Sequence, residues 1–247
     1  MMLYAANWKM RMAFQEALDF CRDNYEGFVK LSKMVDKKIL LCPSFTEMSS
    51  VCSIFKGASV EIGAQDCSNE RAGSYTGQVL AESLRQIGCI YCVVGHSERR
   101  EYFSESSDLV GQKALRLLQV GITPILCVGE KKIDYDSNAA KDVIRAQLDT
   151  VFEKIKGFDT VNLCIAYEPV WAVGTGIIPK NEYIEEIFDF ILEISKKYGQ
   201  SGEIKLLYGG SVDDLSAKTL KNVRNLGGFL IGGASLDFKK FEKIVQL

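Results

Sequence analysis

The fold is decided by residues 123–167, which begin with Thr123-Pro124-Ile125-Leu126-Cys127-Val128 and end with Leu163-Cys164-Ile165-Ala166-Tyr167. Both runs are apolar without alternation, a pattern typical of strands that are buried on both faces of a parallel sheet. The residues between them include an apolar stripe at helical spacing, made of Val143, Ile144, Leu148, Val151, Phe152 and Ile155. The segment therefore predicts two parallel strands joined by a helix.

The same alternation of strand and helix extends in both directions along the chain. We predict eight strands, at Leu3–Trp8, Ile39–Cys42, Val60–Ala64, Ile90–Val94, Thr123–Val128, Leu163–Tyr167, Ile204–Tyr208 and Phe229–Ile231. Eight units in 247 residues average about 31 residues each, the size of a βαβ module. Such units form either an open doubly wound sheet or a closed barrel, and the even repeat favours an α/β fold with one (β/α)8 barrel domain over residues 1–247.

Composition excludes several classes of protein. The formal net charge of −2 leaves no basic surplus for binding nucleic acid and no acidic tail. The residues after Met1 become polar too soon for a signal peptide, and the apolar runs are too short to span a bilayer. We therefore expect a cytoplasmic protein that binds neither nucleic acid nor membrane.

The cysteines include one CxxC motif, Cys89-Ile90-Tyr91-Cys92. A zinc site would need two more ligands, but the chain has one histidine and no second CxxC. A redox motif belongs at a helix N-terminus, whereas Cys92 lies in a predicted strand. We interpret both cysteines as small buried apolar residues, and cysteine reactivity depends on burial that the sequence does not give.

Polar side chains and glycines lie where five of the predicted strands end: Asn7 and Lys9, His96, Glu168, Gly209-Gly210-Ser211, and Gly232-Gly233. A lone histidine is more often structural, and Gly-Gly often marks only a tight turn. However, ligands of parallel α/β folds bind at the carboxyl ends of the strands, so these residues converge on one rim. Together they predict a phosphate site beside an acid–base pair.

Five segments resemble signature segments of the triosephosphate isomerase family: Asn7-Trp8-Lys9-Met10, Val94-Gly95-His96-Ser97-Glu98-Arg99-Arg100, Ala166-Tyr167-Glu168-Pro169-Val170-Trp171-Ala172-Val173-Gly174-Thr175-Gly176, Tyr208-Gly209-Gly210-Ser211-Val212 and Gly232-Gly233-Ala234-Ser235-Leu236. Their order and spacing match across essentially the whole chain. The resemblance implies a TIM barrel that interconverts dihydroxyacetone phosphate and D-glyceraldehyde 3-phosphate through an enediolate. It also implies a place in glycolysis and gluconeogenesis, with no cofactor and no metal.

The resemblance also implies a role for each site residue. Glu168 is the base, neutral His96 is the electrophile, Lys9 supplies positive charge and Asn7 a hydrogen bond. The phosphate is held at Gly174, Ser211, Gly232 and Gly233. The supporting residues are Glu98, Thr76 and Tyr208. Residues 169–179 resemble a mobile lid that excludes water.

The resemblance further implies a homodimer through the loop from Gln65 to Gln78, with Thr76 reaching the site of the other copy. The family usually has a glutamate at position 78, which pairs with the arginine at position 99 of the other copy. Here Gln78 cannot form that ion pair, so we expect a weaker dimer. A second departure is Pro179, which has no N–H for the Tyr208 hydroxyl that normally latches the lid. We expect this latch to be absent or replaced.

Two other functions remain as alternatives. A different barrel enzyme acting on a sugar phosphate would keep the phosphate glycines but need other groups at the strand ends. A non-catalytic descendant would be expected to lose the base, the imidazole or the lid. Intact Lys9, His96 and Glu168 argue against both.

Overall fold

A computed structural model describes residues 1–158 and 162–247, and its sheet is a closed barrel of eight parallel strands. The strands are β1 (Met2–Asn7), β2 (Lys37–Cys42), β3 (Glu61–Ala64), β4 (Tyr91–Val94), β5 (Thr123–Val128), β6 (Leu163–Tyr167), β7 (Ile204–Tyr208) and β8 (Leu226–Ile231). Each strand pairs with the next along the chain, and β8 pairs with β1 to close the barrel. The predicted (β/α)8 TIM barrel is confirmed.

The helices lie between the strands, as the apolar stripes predict. They are α1 (Phe14–Asp23), α2 (Tyr25–Ser32), α3 (Phe45–Ile54), α4 (Ala81–Gln86), α5 (Ser97–Tyr102), α6 (Ser107–Gln119), α7 (Lys132–Asp136), α8 (Ala140–Lys154), α9 (Asn181–Lys197), α10 (Asp214–Leu220) and α11 (Phe238–Gln246). Short 3₁₀ turns follow β6 at Val170–Ala172 and β8 at Gly233–Leu236. Within the described ranges, no helix is both long and apolar enough to cross a membrane.

All eight predicted strands are present, and three have the predicted bounds. The largest difference is at β8, which begins at Leu226 and not at Phe229. Gly227 and Gly228 carry no apolar side chain, so the sequence pattern does not reveal this part of the strand. At Gly228, a Cβ atom would lie 2.0 Å from the carbonyl oxygen of Leu3 on β1. The missing side chain is therefore what allows the first and last strands to pair closely.

The core has two layers, which explains why the strand runs are apolar without alternation. Alternate residues of each strand point into the barrel or outward toward the helices. The inner layer consists of Leu3, Ala5, Leu40, Cys42, Tyr91, Val93, Ile125, Cys127, Cys164, Ala166, Leu207 and Leu230. Because side chains fill the barrel, only the loops at its ends are free to build a ligand site.

Candidate active site

The carboxyl ends of the strands surround a cavity of about 490 Å³. Eight of the predicted site residues line this cavity: Asn7, Lys9, His96, Glu168, Gly174, Ser211, Gly232 and Gly233. They come from the ends of β1, β4, β6, β7 and β8, so the barrel brings together residues that lie far apart in the sequence. Glu98, Thr76 and Tyr208, which the sequence predicts as supporting residues, lie outside the lining of the cavity.

Glu168 directly follows β6, and its carboxylate is almost entirely buried. Its Oε2 accepts a hydrogen bond of 2.9 Å from the backbone N–H of Ser97. Its Oε1 lies 3.0 Å from Nε2 of His96. One oxygen is thus fixed by the backbone, and the other faces the imidazole across the cavity.

His96 is the residue before α5, and its ring orientation is set by the start of that helix. The backbone N–H of Glu98 donates to its Nδ1 over 3.2 Å. A nitrogen that accepts a hydrogen bond carries no proton, so a neutral ring in this position has its proton on Nε2. This Nε2 lies 3.0 Å from Glu168 Oε1.

Lys9 holds its ammonium group beside the predicted phosphate loop. Its Nζ forms a 2.7 Å ion pair with Glu98 Oε1. A methyl group built on Gly232 would lie only 3.8 Å from the same Nζ. Glu98 therefore orients the lysine, and its carboxylate, 41% exposed, remains outside the cavity.

The backbone of Lys9 is strained, with a φ of +52° in the left-handed region. A non-glycine residue adopts this conformation at a cost of roughly 1–2 kcal/mol, and such strain clusters at functional sites. Three side chains hold it in place. Asn7 Oδ1 accepts from the Lys9 N–H over 3.1 Å, while Ser44 and Gln65 donate to the Lys9 carbonyl. The roles of Ser44 and Gln65 were not predicted. Both residues lie just after strand ends, where ligand-binding residues of parallel α/β folds are expected.

The loop after β8 has the form of a phosphate cradle. Gly233 begins a 3₁₀ turn, and its position has no atom within 4 Å of a built Cβ, so its backbone faces open space. Ser235 closes the turn by donating its hydroxyl to the Gly232 carbonyl over 2.7 Å. Free N–H groups at such turns are suited to binding an anion.

Ser211, after β7, ties down the loop between β6 and α9. Its hydroxyl donates to the Ala172 carbonyl over 2.6 Å and accepts from the Gly176 N–H over 3.2 Å. The Tyr208 hydroxyl, in contrast, is buried and has no hydrogen-bond partner among the described residues. In this structure the loop is held through Ser211, and the absence of the latch at Pro179 remains a prediction.

The start of the same loop is held by Glu130, a residue to which the sequence analysis assigned no role. Its Oε1 accepts hydrogen bonds from Trp171 Nε1 at 2.8 Å and from the Tyr167 hydroxyl at 3.0 Å. Burial raises the pKa of Glu130, while these hydrogen bonds act in the opposite direction. Glu130 follows the end of β5, so its position at the rim was a signal that could have identified it.

The loop from Gln65 to Gln78 projects from the barrel, and residues 71–78 are exposed. Thr76 therefore does not reach the site of its own chain. At the base of this loop, Arg99 Nε contacts Asp66 at 2.8 Å and Glu105 at 2.6 Å, and both carboxylates also bind buried Lys113. Arg99 thus has carboxylate partners within its own chain, which the sequence did not indicate.

The site is made of one acid–base pair, the cationic side chains of Lys9 and Arg11, and backbone donors. Across the described part of the chain, no group of three or more His, Cys, Asp or Glu side chains is arranged to hold a metal ion. The arrangement can move a proton within a bound anion while the backbone holds the charge.

Comparison with known proteins indicates one family. A sequence model of the family described as triosephosphate isomerase matches residues 2–247. The chain is 38% identical to a triosephosphate isomerase of Aquifex aeolicus (strain VF5) over 245 residues, which cover 98% of each protein. It is 37% identical to one of Endomicrobium trichonymphae over 246 residues, covering 99% of this chain and 97% of the relative. The likeness therefore extends over nearly the full length.

Proposed function

Since the chain belongs to the triosephosphate isomerase family, we propose that it interconverts dihydroxyacetone phosphate and D-glyceraldehyde 3-phosphate through an enediolate. The observation that carries the proposal is the pairing of Glu168 Oε1 with His96 Nε2 at 3.0 Å, inside the cavity that Lys9 and Gly232 also line. This isomerase reaction would serve glycolysis and gluconeogenesis in the cytoplasm.

Glu168 acts as the base in this mechanism. Its Oε1 removes a proton from the carbon beside the substrate carbonyl, while Oε2 stays on the Ser97 N–H and fixes the direction of attack. The pair of electrons from the broken C–H bond moves toward the carbonyl oxygen. The protonated carboxyl group then returns a proton to the adjacent carbon, and the aldose and ketose are interconverted.

His96 and Lys9 stabilise the negative charge that develops on the substrate oxygens. The Nε2–H of His96 turns from Glu168 to those oxygens when substrate occupies the cavity. The ammonium of Lys9, oriented by Glu98, supplies fixed positive charge in a site where little reorganisation is needed. Asn7 contributes by holding the strained backbone of Lys9.

The phosphate binds at Gly174, Ser211, Gly232 and Gly233, and residues 169–179 close over it as a lid. Exclusion of water by the closed lid prevents the enediolate from losing its phosphate to give methylglyoxal. The hydrogen bonds of Ser211 to Ala172 and Gly176 support this role.

Solvent deuterium tests the enediolate. The isomerisation of D-glyceraldehyde 3-phosphate should be run in D₂O, and the product analysed by NMR. A proton removed by Glu168 exchanges with solvent, so we expect deuterium on the carbon that receives the proton. A direct hydride shift would leave that carbon free of deuterium and would contradict the mechanism. Folded protein without any isomerisation would contradict the activity itself.

Lid closure gives a prediction that is specific to this chain. We expect Tyr208→Phe to lower kcat by less than about threefold, because the hydroxyl has no hydrogen bond to lose within residues 1–158 and 162–247. We expect Ser211→Ala to lower kcat by roughly tenfold or more, because it removes two hydrogen bonds of about 1 kcal/mol each. The measurement is steady-state kcat together with the fraction of substrate converted to methylglyoxal.

The matched control is the Pro179→Ala background, which restores an N–H at that position. In that background Tyr208→Phe should lower kcat more than it does in the wild type, since the hydroxyl regains a possible hydrogen-bond partner. A loss of about a hundredfold for Tyr208→Phe in the wild-type background would contradict the prediction, because it would require a latch that does not pass through an N–H at position 179.

We further propose that the protein is a homodimer, in which the exposed loop from Gln65 to Gln78 inserts beside Asn7 and His96 of the other copy. The exposure of Thr76 at the tip of this loop supports the proposal. The two-fold symmetry of such a dimer would place each contact in the interface twice.

We expect Gln78→Glu to lower the subunit dissociation constant by roughly tenfold. The closest contacts of Arg99 with Asp66 and Glu105 are ion pairs made by Nε, and the side chain remains 32% exposed, so its terminal nitrogens can still meet a carboxylate. A partly exposed ion pair contributes up to about 1 kcal/mol, and it would form twice. Sedimentation at a series of dilutions measures the constant. Gln246→Glu makes the same charge change on α11, and an effect of equal size there would contradict the role of Arg99.

A further inference from the structure

One of the eight cysteines differs from the others in its exposure to solvent. Cys52 is partly exposed, whereas the other seven are buried. Burial raises the pKa of Cys21, Cys42 and Cys164 to about 12, which keeps these thiols protonated and unreactive. Cys52 is therefore the thiol that solvent can reach.

Cys52 is a neighbour of Cys89, and the two thiols are near enough to shift each other's pKa. The neighbouring turn of the same helix supports this placement. Met48 and Cys52 are four residues apart on α3 and so share one face, and Met48 Sδ lies 3.2 Å from Cys89 Sγ. The two thiols thus form a contact pair across 37 positions of the sequence.

The two members of the pair differ in acidity. The neighbouring Cys89 thiol lowers the pKa of the Cys52 thiol, while the same proximity and burial raise the pKa of Cys89. Cys52 is consequently the first to ionise, and the thiolate is the nucleophilic form of cysteine. Cys89 stays protonated when Cys52 ionises.

A surface cavity of about 590 Å³ leads to this pair. Its lining includes Cys52, Ser49 and Lys56 on one side and Gly88 and Ile90, the neighbours of Cys89, on the other. A small molecule can therefore reach Cys52, whereas Cys89 is fully buried. Cys89 precedes β4, so the pair lies toward the amino ends of the strands, away from the catalytic cavity.

We propose that Cys52 and Cys89 form an oxidation site for a small hydroperoxide such as hydrogen peroxide, with Cys52 as the attacking thiol and Cys89 as the resolving thiol. The Cys52 thiolate attacks one peroxide oxygen, the O–O bond breaks, and a sulfenic acid forms while the leaving hydroxide takes up a proton to give water. The Cys89 sulfur then displaces the hydroxyl group of the sulfenic acid, which leaves as water with the Cys89 proton. The peroxide is reduced to two water molecules, and the two thiols are oxidised to one disulfide.

The site is distinct from the CxxC motif. In that motif Cys92 is buried within β4, and its pKa is raised well above the ordinary value, mainly by burial. The partner of Cys89 is instead a residue from α3, which no spacing in the sequence would indicate. Oxidation would tie α3 to the start of β4 and leave the groups of the catalytic cavity unmodified.

Titration with hydrogen peroxide tests the proposal on the intact protein. After one equivalent of peroxide, we expect the unfolded chain to have six free thiols where the reduced chain has eight. Peptide mapping should identify a Cys52–Cys89 disulfide, and dithiothreitol should restore both thiols. We expect isomerase turnover to change by less than about twofold, a small barrier change of under 0.5 kcal/mol. This test does not depend on the proposed activity, because thiol counts and mapping measure the pair directly.

The variants separate the two roles. In Cys89→Ser, oxidation should stop at a sulfenic acid on Cys52, which dimedone traps, and Cys52→Ser should lose no thiols at the same peroxide dose. Cys21→Ser removes a buried cysteine elsewhere and should behave like wild type. A disulfide between other cysteines, or alkylation of native Cys52 by iodoacetamide no faster than that of Cys21, would overturn the proposal. The mapping uses wild-type protein, so it remains decisive if a serine variant fails to fold.

Discussion

Glu168→Gln should lower kcat by roughly 10³-fold, within the range that general acid–base catalysis supplies. The amide has almost the same volume as the carboxylate and can still accept the hydrogen bond from the Ser97 N–H. It cannot take a proton from carbon, so only the chemical step is lost. The measurement is the rate of conversion of D-glyceraldehyde 3-phosphate to dihydroxyacetone phosphate, with the melting temperature recorded on the same samples.

Two further variants make this result specific. Glu168→Asp keeps the negative charge but moves it back by one methylene, and such a misplacement costs roughly 10²-fold in rate. Glu101→Gln makes the same chemical change on an exposed position of α5 and should leave kcat unchanged. If Glu168→Gln retained more than a tenth of the wild-type kcat, Glu168 would not be the base.

Gly129→Ala should damage both stability and turnover. A Cβ atom at Gly129 would lie 1.8 Å from the carbonyl oxygen of Glu168. The segments that carry Gly129 and Glu168 cannot easily separate. Gln147 binds both the N–H and the carbonyl of Gly129, and the Glu168 N–H donates to the Val128 carbonyl. The clash must therefore displace the base. We expect a loss of roughly 3 kcal/mol or more in the free energy of unfolding, and a fall of roughly 10²-fold in kcat.

The control for this prediction is Gly57→Ala. Gly57 has a φ of +82° and no atom within 4 Å of a built Cβ, so alanine there tests backbone strain without a clash. It should cost about 1 kcal/mol and leave kcat unchanged. Thermal unfolding and kcat are measured for both variants. A Gly129→Ala protein as stable and as active as the Gly57→Ala protein would show that the contact with Glu168 relaxes without consequence.

The barrel could be predicted because its strands are buried on both faces. Runs such as Leu163–Tyr167 therefore lack alternation, and each is followed by the polar residue that reaches the rim. β8 shows where this signal fails. Its first residues include Gly227 and Gly228, whose role is to let backbones approach, and a missing side chain leaves no hydrophobic pattern to read.

The site residues were predictable, but the contacts that position them were not. Position after a strand identifies Lys9, yet its strained backbone depends on Gln65, which is 56 residues away. The partners of Arg99 were likewise hidden, because Asp66, which follows β3, meets Arg99, which follows β4, only after these two strands have paired. Such contacts depend on which residues of neighbouring strands pair in the barrel, and this pairing cannot be read from a single sequence.

The pairing of β8 with β1 has a consequence for the synthesis of the chain. Ala6 pairs with Ile231, so one edge of the first strand has no partner until the last strand has been made. At roughly 5–20 residues per second, a ribosome needs about ten to forty seconds to cover that distance. Throughout this interval the nascent chain exposes an open sheet edge, to which strands of other chains can add. Because Lys9 and Gly232 follow the two strands of this seam at the same, carboxyl end, the proposed phosphate site cannot form before the chain has closed its own edge.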